Sequence, residues 1–234
     1  MDQQLLDKVK AYDWGQSRAA LTEITEGIKK AHGNNAELTA IEKGLLGVLD
    51  SDAKQAGKQF ACRQLSIIGT DQSVPTLAKM LTGEETSDMA RFALERIPGA
   101  AADEALLGAL SKATGKAQIG IVNSLGQRQC RKAAGAVAGL LGSADETLAA
   151  AAAAALGQIA DDQARSALAK AKGATKGKVQ LRVLDAYLRC ADQLAAGGKK
   201  AEAQAIYKEL QGKDMPKPIR AAALRGALGP AASK

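Results

Sequence analysis

The sequence predicts an all-α fold: a right-handed α-α superhelix built from about seven antiparallel helix pairs. Three observations lead to this prediction. A short apolar phrase recurs along the chain, alanine and leucine dominate the composition, and aromatic residues make up only 3% of the 234 residues. Alanine is the strongest helix former because it loses no side-chain entropy in a helix. The aromatic content is too low for the core of a β-sandwich or β-barrel.

The recurring phrase is LSIIG at 65–69, and related strings follow at 94–98, 122–126 and 156–160. The phrase ends in a small residue or proline, at Gly69, Pro98, Gly126 and Ala160, and a similar ending recurs at Gly229. The first four endings are 29, 28 and 34 positions apart. A period of this length is the signature of a helical repeat that stacks into a solenoid.

Each repeat is predicted to contain two helices joined by a polar turn. Apolar residues recur at i, i+4 and i+7 in the helices that carry the phrase: Ala61, Leu65 and Ile68 in one, and Ala90, Leu94 and Ile97 in another. That spacing places them on one face of a helix. We expect a glycine to end its phrase helix in the left-handed C-cap conformation. Pro75 is expected in the first turn of a following helix, where no amide partner is needed.

Several glycines fall inside the predicted helices: Gly44, Gly47, Gly108, Gly120, Gly135 and Gly139. Each costs roughly 1 kcal/mol relative to alanine in a helix interior. We interpret them as positions where neighbouring helices approach closely. The alternative is that the helices tolerate these glycines and that the glycines have no packing role.

The pattern A-x-x-A-L-x-x-I-G, followed by a turn and a short amphipathic helix, resembles the HEAT repeat, in particular the bacterial, phycobilisome-lyase HEAT-like type. The matching residues are Ala90, Ala93, Leu94 and Ile97, and again Ala155, Leu156 and Ile159. The resemblance covers roughly 53–229 and implies a HEAT-like α-solenoid. It implies little about activity, because this repeat serves many unrelated roles.

We predict one α-solenoid domain over 1–234. Residues 1–52 form an atypical N-terminal cap, residues 53–172 form HEAT-like repeats, and residues 173–229 form C-terminal helix pairs. The first long helices, expected near 16–31 and 35–49, lack the phrase, as terminal units of a solenoid often do. An excised domain of a larger multidomain protein would fit the same pattern.

The composition limits the class of protein. The net charge is +7, but 25 acidic residues nearly balance 32 basic ones. No apolar run reaches the roughly 20 residues that cross a bilayer, so no membrane span is predicted. The start, MDQQLLDKVK, shows no signal-peptide core, so a cytoplasmic location is expected by default. A periplasmic or envelope location would follow if a leader had been removed.

Residues that could carry out chemistry are scarce. Cys62, Cys130 and Cys190 are far apart, and His32 is the one histidine, so no zinc-ligand cluster is expected. We interpret the three cysteines as buried, idle thiols. No common catalytic motif is present. HEAT-like hydroxylases use His-Glu pairs that this chain lacks. We therefore expect a protein that is not an enzyme and has no cofactor and no metal.

Nucleic-acid binding is the alternative function. The alkylpurine DNA glycosylases are HEAT-like and similar to this chain in length and charge. The resemblance implies a DNA groove lined by tryptophans and an acidic residue, whereas the one tryptophan here is Trp14, in the predicted cap. Basic and acidic residues are mixed along the helices rather than gathered in one stripe, which disfavours this alternative.

We therefore predict a non-enzymatic scaffold that binds another protein or a peptide on its concave face. The candidate partner-binding residues occupy the outward positions of the predicted helices: Arg63, Asp88, Arg91, Phe92, Glu95, Asn123, Lys178, Arg182, Asp185 and Arg189. Phe92 either packs against the neighbouring repeat or contacts the partner. Asp185 is placed to pair with Arg182 and Arg189. A solvated surface of self-paired charges is the alternative for all these positions.

Overall fold

A computed structural model of the chain describes residues 2–229, and all regular secondary structure in this range is helical. The α-helices are α1 (Gln3–Ala11), α2 (Ala19–Lys30), α3 (Asn35–Leu49), α4 (Gln55–Ile68), α5 (Val74–Met80), α6 (Ser87–Leu94), α7 (Ala100–Leu110), α8 (Gly115–Gln127), α9 (Ala134–Ala138), α10 (Glu146–Ile159), α11 (Asp162–Ala174), α12 (Gly177–Ala196), α13 (Lys200–Leu210) and α14 (Lys217–Leu228). Short 3-10 turns occupy Asp71–Ser73, Arg131–Ala133 and Gly139–Gly142. The predicted all-α fold with about fourteen helices is confirmed.

The helices group into two compact units, one over 2–124 and one over 125–229 of the described residues. In each unit a helix packs chiefly against helices one or two positions away along the chain. In the first unit α4 packs on α2, α3 and α6, and in the second α12 packs on α10, α11, α13 and α14. This packing of sequence neighbours is that of an α-solenoid. The proposed division at 52 and 172 stays a prediction, as does the single domain.

The apolar stripes of the phrase helices lie in the core, as the periodicity predicts. Ala90, Leu94 and Ile97 of the α6 segment are at most 1% exposed, and Leu65 of α4 is fully buried. Each buried leucine or isoleucine contributes about 1.5–3 kcal/mol. Ile68, the last residue of its stripe, is only half-buried because α4 ends there.

The expectation that glycine ends the phrase helices in the left-handed conformation is wrong at Gly69 and Gly126. Gly69 follows α4 with φ −63°, and Gly126 lies inside α8. A positive φ at a helix end occurs at Gly229, with φ 73°, and also at Ala160, with φ 48°. At Gly69 the requirement is for space, because a Cβ there would lie 2.9 Å from Cδ1 of Ile97. Pro75 occupies the first turn of α5, as predicted.

Close helix approach explains only some of the glycines chosen from the sequence. A Cβ on Gly120 would lie 2.5 Å from the Arg91 guanidinium, whereas one on Gly108 would meet nothing within 4 Å. Another close approach of backbones lies at Gly157 of α10, where a Cβ would lie 2.9 Å from both Cα and Cβ of Ala186 on α12. Glycine therefore allows α10 and α12 to pack nearly backbone to backbone.

A buried carboxylate fixes the turn that follows α4. Glu42 of α3 is 1% exposed, and its Oε1 accepts hydrogen bonds from the Thr70 backbone N–H at 2.7 Å and from the Ser73 hydroxyl at 2.6 Å. These bonds satisfy donors that the turn would otherwise bury unpaired. They also hold α4 against α3, and α4 carries the candidate site.

Candidate functional site

Two adjoining grooves follow α4 on one face of the first unit. The first, here called the tryptophan groove, has a volume of about 590 Å³ and lies between α4 and the segment that joins α1 to α2. The second, the phenylalanine groove, has a volume of about 310 Å³ and lies between α4 and the start of α6. Gln59 and Arg63 of α4 line both grooves. The grooves are therefore neighbours across a single helix.

The wall of the tryptophan groove is held in place by Asp13. Its carboxylate accepts a hydrogen bond from the backbone N–H of Trp14 at 2.9 Å and pairs with Nζ of Lys54 at 3.1 Å. Lys54 lies just before α4, and its backbone N–H donates to the carbonyl of Lys10 at 3.0 Å. The Lys54 hydrogen bond, and then that of Trp14, lower the pKa of Asp13. The α1–α2 segment is thus tied to the start of α4.

The tryptophan groove combines an aromatic ring with unpaired cations. Trp14 is 56% exposed. Arg18 and Arg63 are exposed, and neither forms an ion pair with any residue in 2–229. None of the described residues that line the groove is acidic. The groove is therefore a cationic pocket with an aromatic wall.

One buried polar atom in this groove lacks a partner. Gln64 of α4 lines the groove and is 8% exposed, and its Oε1 accepts no hydrogen bond from the described part of the chain. Buried polar atoms are almost always paired. Because the last torsion of a glutamine side chain is soft, rotation of the amide can turn this oxygen toward the groove.

The phenylalanine groove has the opposite electrostatic character. Glu85 and Asp88 line it, against the single cation of Arg63. Phe92 lines it as well and is 39% exposed, with the Arg96 guanidinium 3.9 Å from its ring centroid. Of the two roles predicted for Phe92, packing inside the neighbouring repeat is wrong, because the ring stays at the surface.

Cys62 closes the floor of the phenylalanine groove. Burial raises the pKa of its thiol to about 12, so the group is protonated near neutral pH and is a poor nucleophile. Cys130 and Cys190 are also buried, as predicted, and none of the three cysteines is in a disulfide. No group of three or more His, Cys, Asp or Glu residues within 2–229 is arranged to hold a metal ion.

Three candidate residues from the sequence, Arg63, Asp88 and Phe92, come together around the phenylalanine groove. Asn123 is exposed on α8 and lines neither groove. The assembly of the first three follows from the repeat, because equivalent faces of α4 and α6 pack side by side.

The outward positions predicted for Arg91 and Glu95 are wrong. The side chain of Arg91 is 16% exposed, and its Nη1 donates to the Gly120 carbonyl at 3.1 Å and to Oγ of Ser124 at 3.0 Å. The Ser124 hydroxyl donates to Oε1 of Glu95 at 2.6 Å. Both side chains reach from α6 to α8, because Gly120 leaves room for the guanidinium. They join two helices.

The charged stripe predicted on α12 is at the surface of the second unit. Lys178, Arg182, Asp185 and Arg189 are all exposed. The predicted pairing is wrong, since neither Arg182 nor Arg189 lies within 4.0 Å of the Asp185 carboxylate in the described structure. Exposed pairs gain little energy, so the side chains remain solvated.

The repeat pattern of the sequence does not indicate the tryptophan groove. It places Trp14 only in the terminal cap, and no motif marks Arg18 or Gln64. The available signal was a tryptophan in a polar turn, in a chain with almost no other aromatic residues.

Comparisons with protein-family profiles and with curated proteins give no match. Among solved structures, the chain is similar to a computationally designed armadillo repeat protein for modular peptide recognition, with 19% identity over 80% of this chain and 98% of that one and a TM-score of 0.43. A second designed armadillo repeat protein shows 16% identity over 96% and 98%, with a TM-score of 0.39. A third, in complex with the peptide (KR)4, shows 14% identity over 96% and 97%, with a TM-score of 0.32. At this level of likeness, the fold assignment rests on the helix packing described above. None of the helices in 2–229 is both long and apolar enough to cross a membrane.

Proposed function

We propose that this chain is a non-enzymatic α-solenoid scaffold that binds an extended segment of another protein along α2, α4 and α6. The observation that carries the proposal is the pair of adjoining grooves that share Gln59 and Arg63. Solenoids present such repeated surfaces to partners, commonly on the concave side. We propose that this face is the concave one.

The size of the grooves suits a peptide. Packed helices lie about 8–10 Å apart. A peptide in the polyproline II conformation advances about 3.1 Å per residue and turns every third side chain to the same side. A peptide that crosses α4 therefore places residues about three positions apart in the two grooves. Arginine and aromatic side chains often dominate binding energy at protein interfaces, and Arg63 and Phe92 are the residues of that kind here.

Nucleic acid fits the same surface less well. Its backbone carries a negative charge every few ångströms, and it would pass from the cationic tryptophan groove onto Glu85 and Asp88. A protein segment can alternate the sign of its side chains from residue to residue. The mixed charge of the two grooves therefore supports a protein partner.

We further propose that the repeats are of the HEAT type and that the chain is bacterial. The motif residues Ala90, Ala93 and Leu94 support this, because all three are fully buried on the stripe that the motif predicts. The protonated, buried thiol of Cys62 supports a role without covalent chemistry. A cytoplasmic location is part of the same proposal.

Selection from a display library of random linear peptides tests the function. We expect the protein to select peptides, and Phe92→Ala to weaken the binding of a selected peptide about tenfold, as loss of a central aromatic contact does. Ile67→Ala is the matched control, because Ile67 is a 70% exposed apolar residue of α4 that lines neither groove.

Three results would contradict the proposal: no peptide is selected, the two variants bind alike, or a labelled DNA duplex binds in preference to every peptide. In the last case, affinity that falls steeply with salt would favour the nucleic-acid alternative.

A further inference from the structure

The tryptophan groove carries a charge that no residue within 2–229 neutralises. Arg18 comes from the segment before α2 and Arg63 from α4, and none of the described residues that line the groove is acidic. Two unpaired guanidinium groups beside an aromatic wall form a site for a carboxylate, which arginine can bind through two parallel hydrogen bonds.

One buried oxygen in the tryptophan groove lacks a hydrogen-bond donor. Gln64 Oε1 is buried and unpaired, so an occupant that brings an N–H group can satisfy it. A peptide supplies both the carboxylate for the two arginines and the N–H donor for Gln64, since it carries backbone N–H groups beside an acidic side chain. A free carboxylate ion such as acetate has only acceptor oxygens and would leave this atom without a donor.

The neighbouring groove prefers the opposite charge. Glu85 forms no ion pair within the described residues. Oδ1 of Asp88 pairs with Nη2 of Arg91 at 2.5 Å, but the Asp88 side chain is 88% exposed, so its other carboxylate oxygen can meet a cation, as Glu85 can. A segment that continues from the tryptophan groove across Arg63 therefore moves from a cationic pocket to an anionic one.

From these observations we infer that the tryptophan groove recognises an aspartate or glutamate side chain of the bound segment, and that the phenylalanine groove takes a basic residue about three positions away. This inference rests on the proposed function and adds the charge pattern of the partner. Arg18 and Arg63 bind the carboxylate, Gln64 pairs with a backbone N–H, and Trp14 covers the side chain.

The test compares display selections on the wild-type protein, on the double variant Arg18→Ala/Arg63→Ala and on Lys43→Ala. Lys43 is exposed on α3 and lines neither groove, so its variant is the control for removing a positive charge. We expect one acidic position in peptides selected by the wild type and by Lys43→Ala, with a basic position about three residues away. The double variant should lose the acidic preference.

A synthetic peptide from the selection then gives the affinity. Replacing its acidic residue with the corresponding amide should weaken binding to the wild type about tenfold and leave binding to the double variant unchanged, as expected for directly coupled groups. Trp14 is the one tryptophan of the chain, so its fluorescence emission should shift on binding.

Gln64→Met separates binding from folding. Methionine keeps the length of the side chain and removes the unpaired oxygen, so thermal stability should be retained while peptide affinity falls. Unchanged affinity in this variant would remove Gln64 from the site.

The outcomes distinguish this inference from the proposed function. If no peptide is selected, both fail. If peptides are selected without an acidic position, or if the double variant keeps the acidic preference, this inference is wrong while the scaffold function stands. An unchanged Trp14 emission with a tightly bound peptide would also overturn it, because the ligand would then lie elsewhere.

Discussion

The guanidinium of Arg91 on α6 donates a hydrogen bond to the hydroxyl of Ser124 on α8, across 3.0 Å. Ser124 is fully buried, and its hydroxyl donates a hydrogen bond to Oε1 of Glu95. A cation, a hydroxyl and a carboxylate thus form a chain between two repeats. The hydroxyl is the central link, because it accepts from one charged group and donates to the other.

Ser124→Ala should lower the free energy of unfolding by about 1–3 kcal/mol, the usual cost of leaving buried polar groups short of a partner. Asn123→Ala is the matched control on the same helix. Asn123 is exposed, so its truncation should change stability by less than about 0.5 kcal/mol. Urea unfolding followed by circular dichroism measures both. Equal effects would show that the network contributes nothing.

The periodic part of the fold could be predicted from the sequence. The i, i+4, i+7 spacing of Ala90, Leu94 and Ile97 indicates their burial directly, since one face of a helix must meet the core. The network of Arg91 could not be predicted this way. Whether a polar side chain on the flank of a helix meets water or the next repeat depends on the room that Gly120 leaves.

The helix ends and the tryptophan groove could not be predicted either, because both depend on contacts between distant parts of the sequence. A glycine at the end of an apolar phrase can cap a helix or allow close packing, and local sequence does not distinguish Gly69 from Gly126. Trp14, Arg18 and Gln64 form one groove only because Asp13 ties its segment to Lys54 at the start of α4. That contact joins positions 41 residues apart, and no short sequence motif predicts it.

Alanine substitutions at two helical glycines should have opposite effects. Gly157→Ala would place a Cβ 2.9 Å from Ala186, so we expect a loss of about 1–3 kcal/mol from overpacking between α10 and α12. Gly108→Ala meets open space in the interior of α7 and should stabilise by up to about 1 kcal/mol through helix propensity. Thermal unfolding compares them, and stabilisation by both would show that α10 and α12 separate easily.

The buried carboxylate of Glu42 gives a third prediction. Glu42→Leu removes the acceptor of Thr70 and Ser73 while it keeps the bulk of the side chain, so about 2–4 kcal/mol of stability should be lost. Glu42→Gln keeps one acceptor oxygen and should lose less. Urea unfolding of the two variants distinguishes them. A leucine variant as stable as the wild type would mean that the turn after α4 finds other partners without cost.

The last prediction concerns stability at high pH. Burial, the charge of Glu209 and a 3.2 Å hydrogen bond to it raise the pKa of Tyr187 to about 12. Burial and a 2.7 Å hydrogen bond to Asp192 raise the pKa of Tyr207 well above its usual value of 10.0. The folded state therefore keeps two phenolic protons that the unfolded chain releases near pH 10.

This difference makes the folding stability fall as the pH rises above about 10. The contribution is fully present below pH 10 and is lost as the pH rises toward the folded-state pKa values, because the unfolded state then binds fewer protons. Tyr187→Phe/Tyr207→Phe removes both groups, so its stability should fall less steeply than that of the wild type between pH 9.5 and 11.5, roughly the window set by the linkage. Urea unfolding at several pH values measures both slopes. Deprotonation of lysines affects the two proteins equally and cancels in the comparison, so parallel curves would mean that the phenols titrate alike in the folded and unfolded chains.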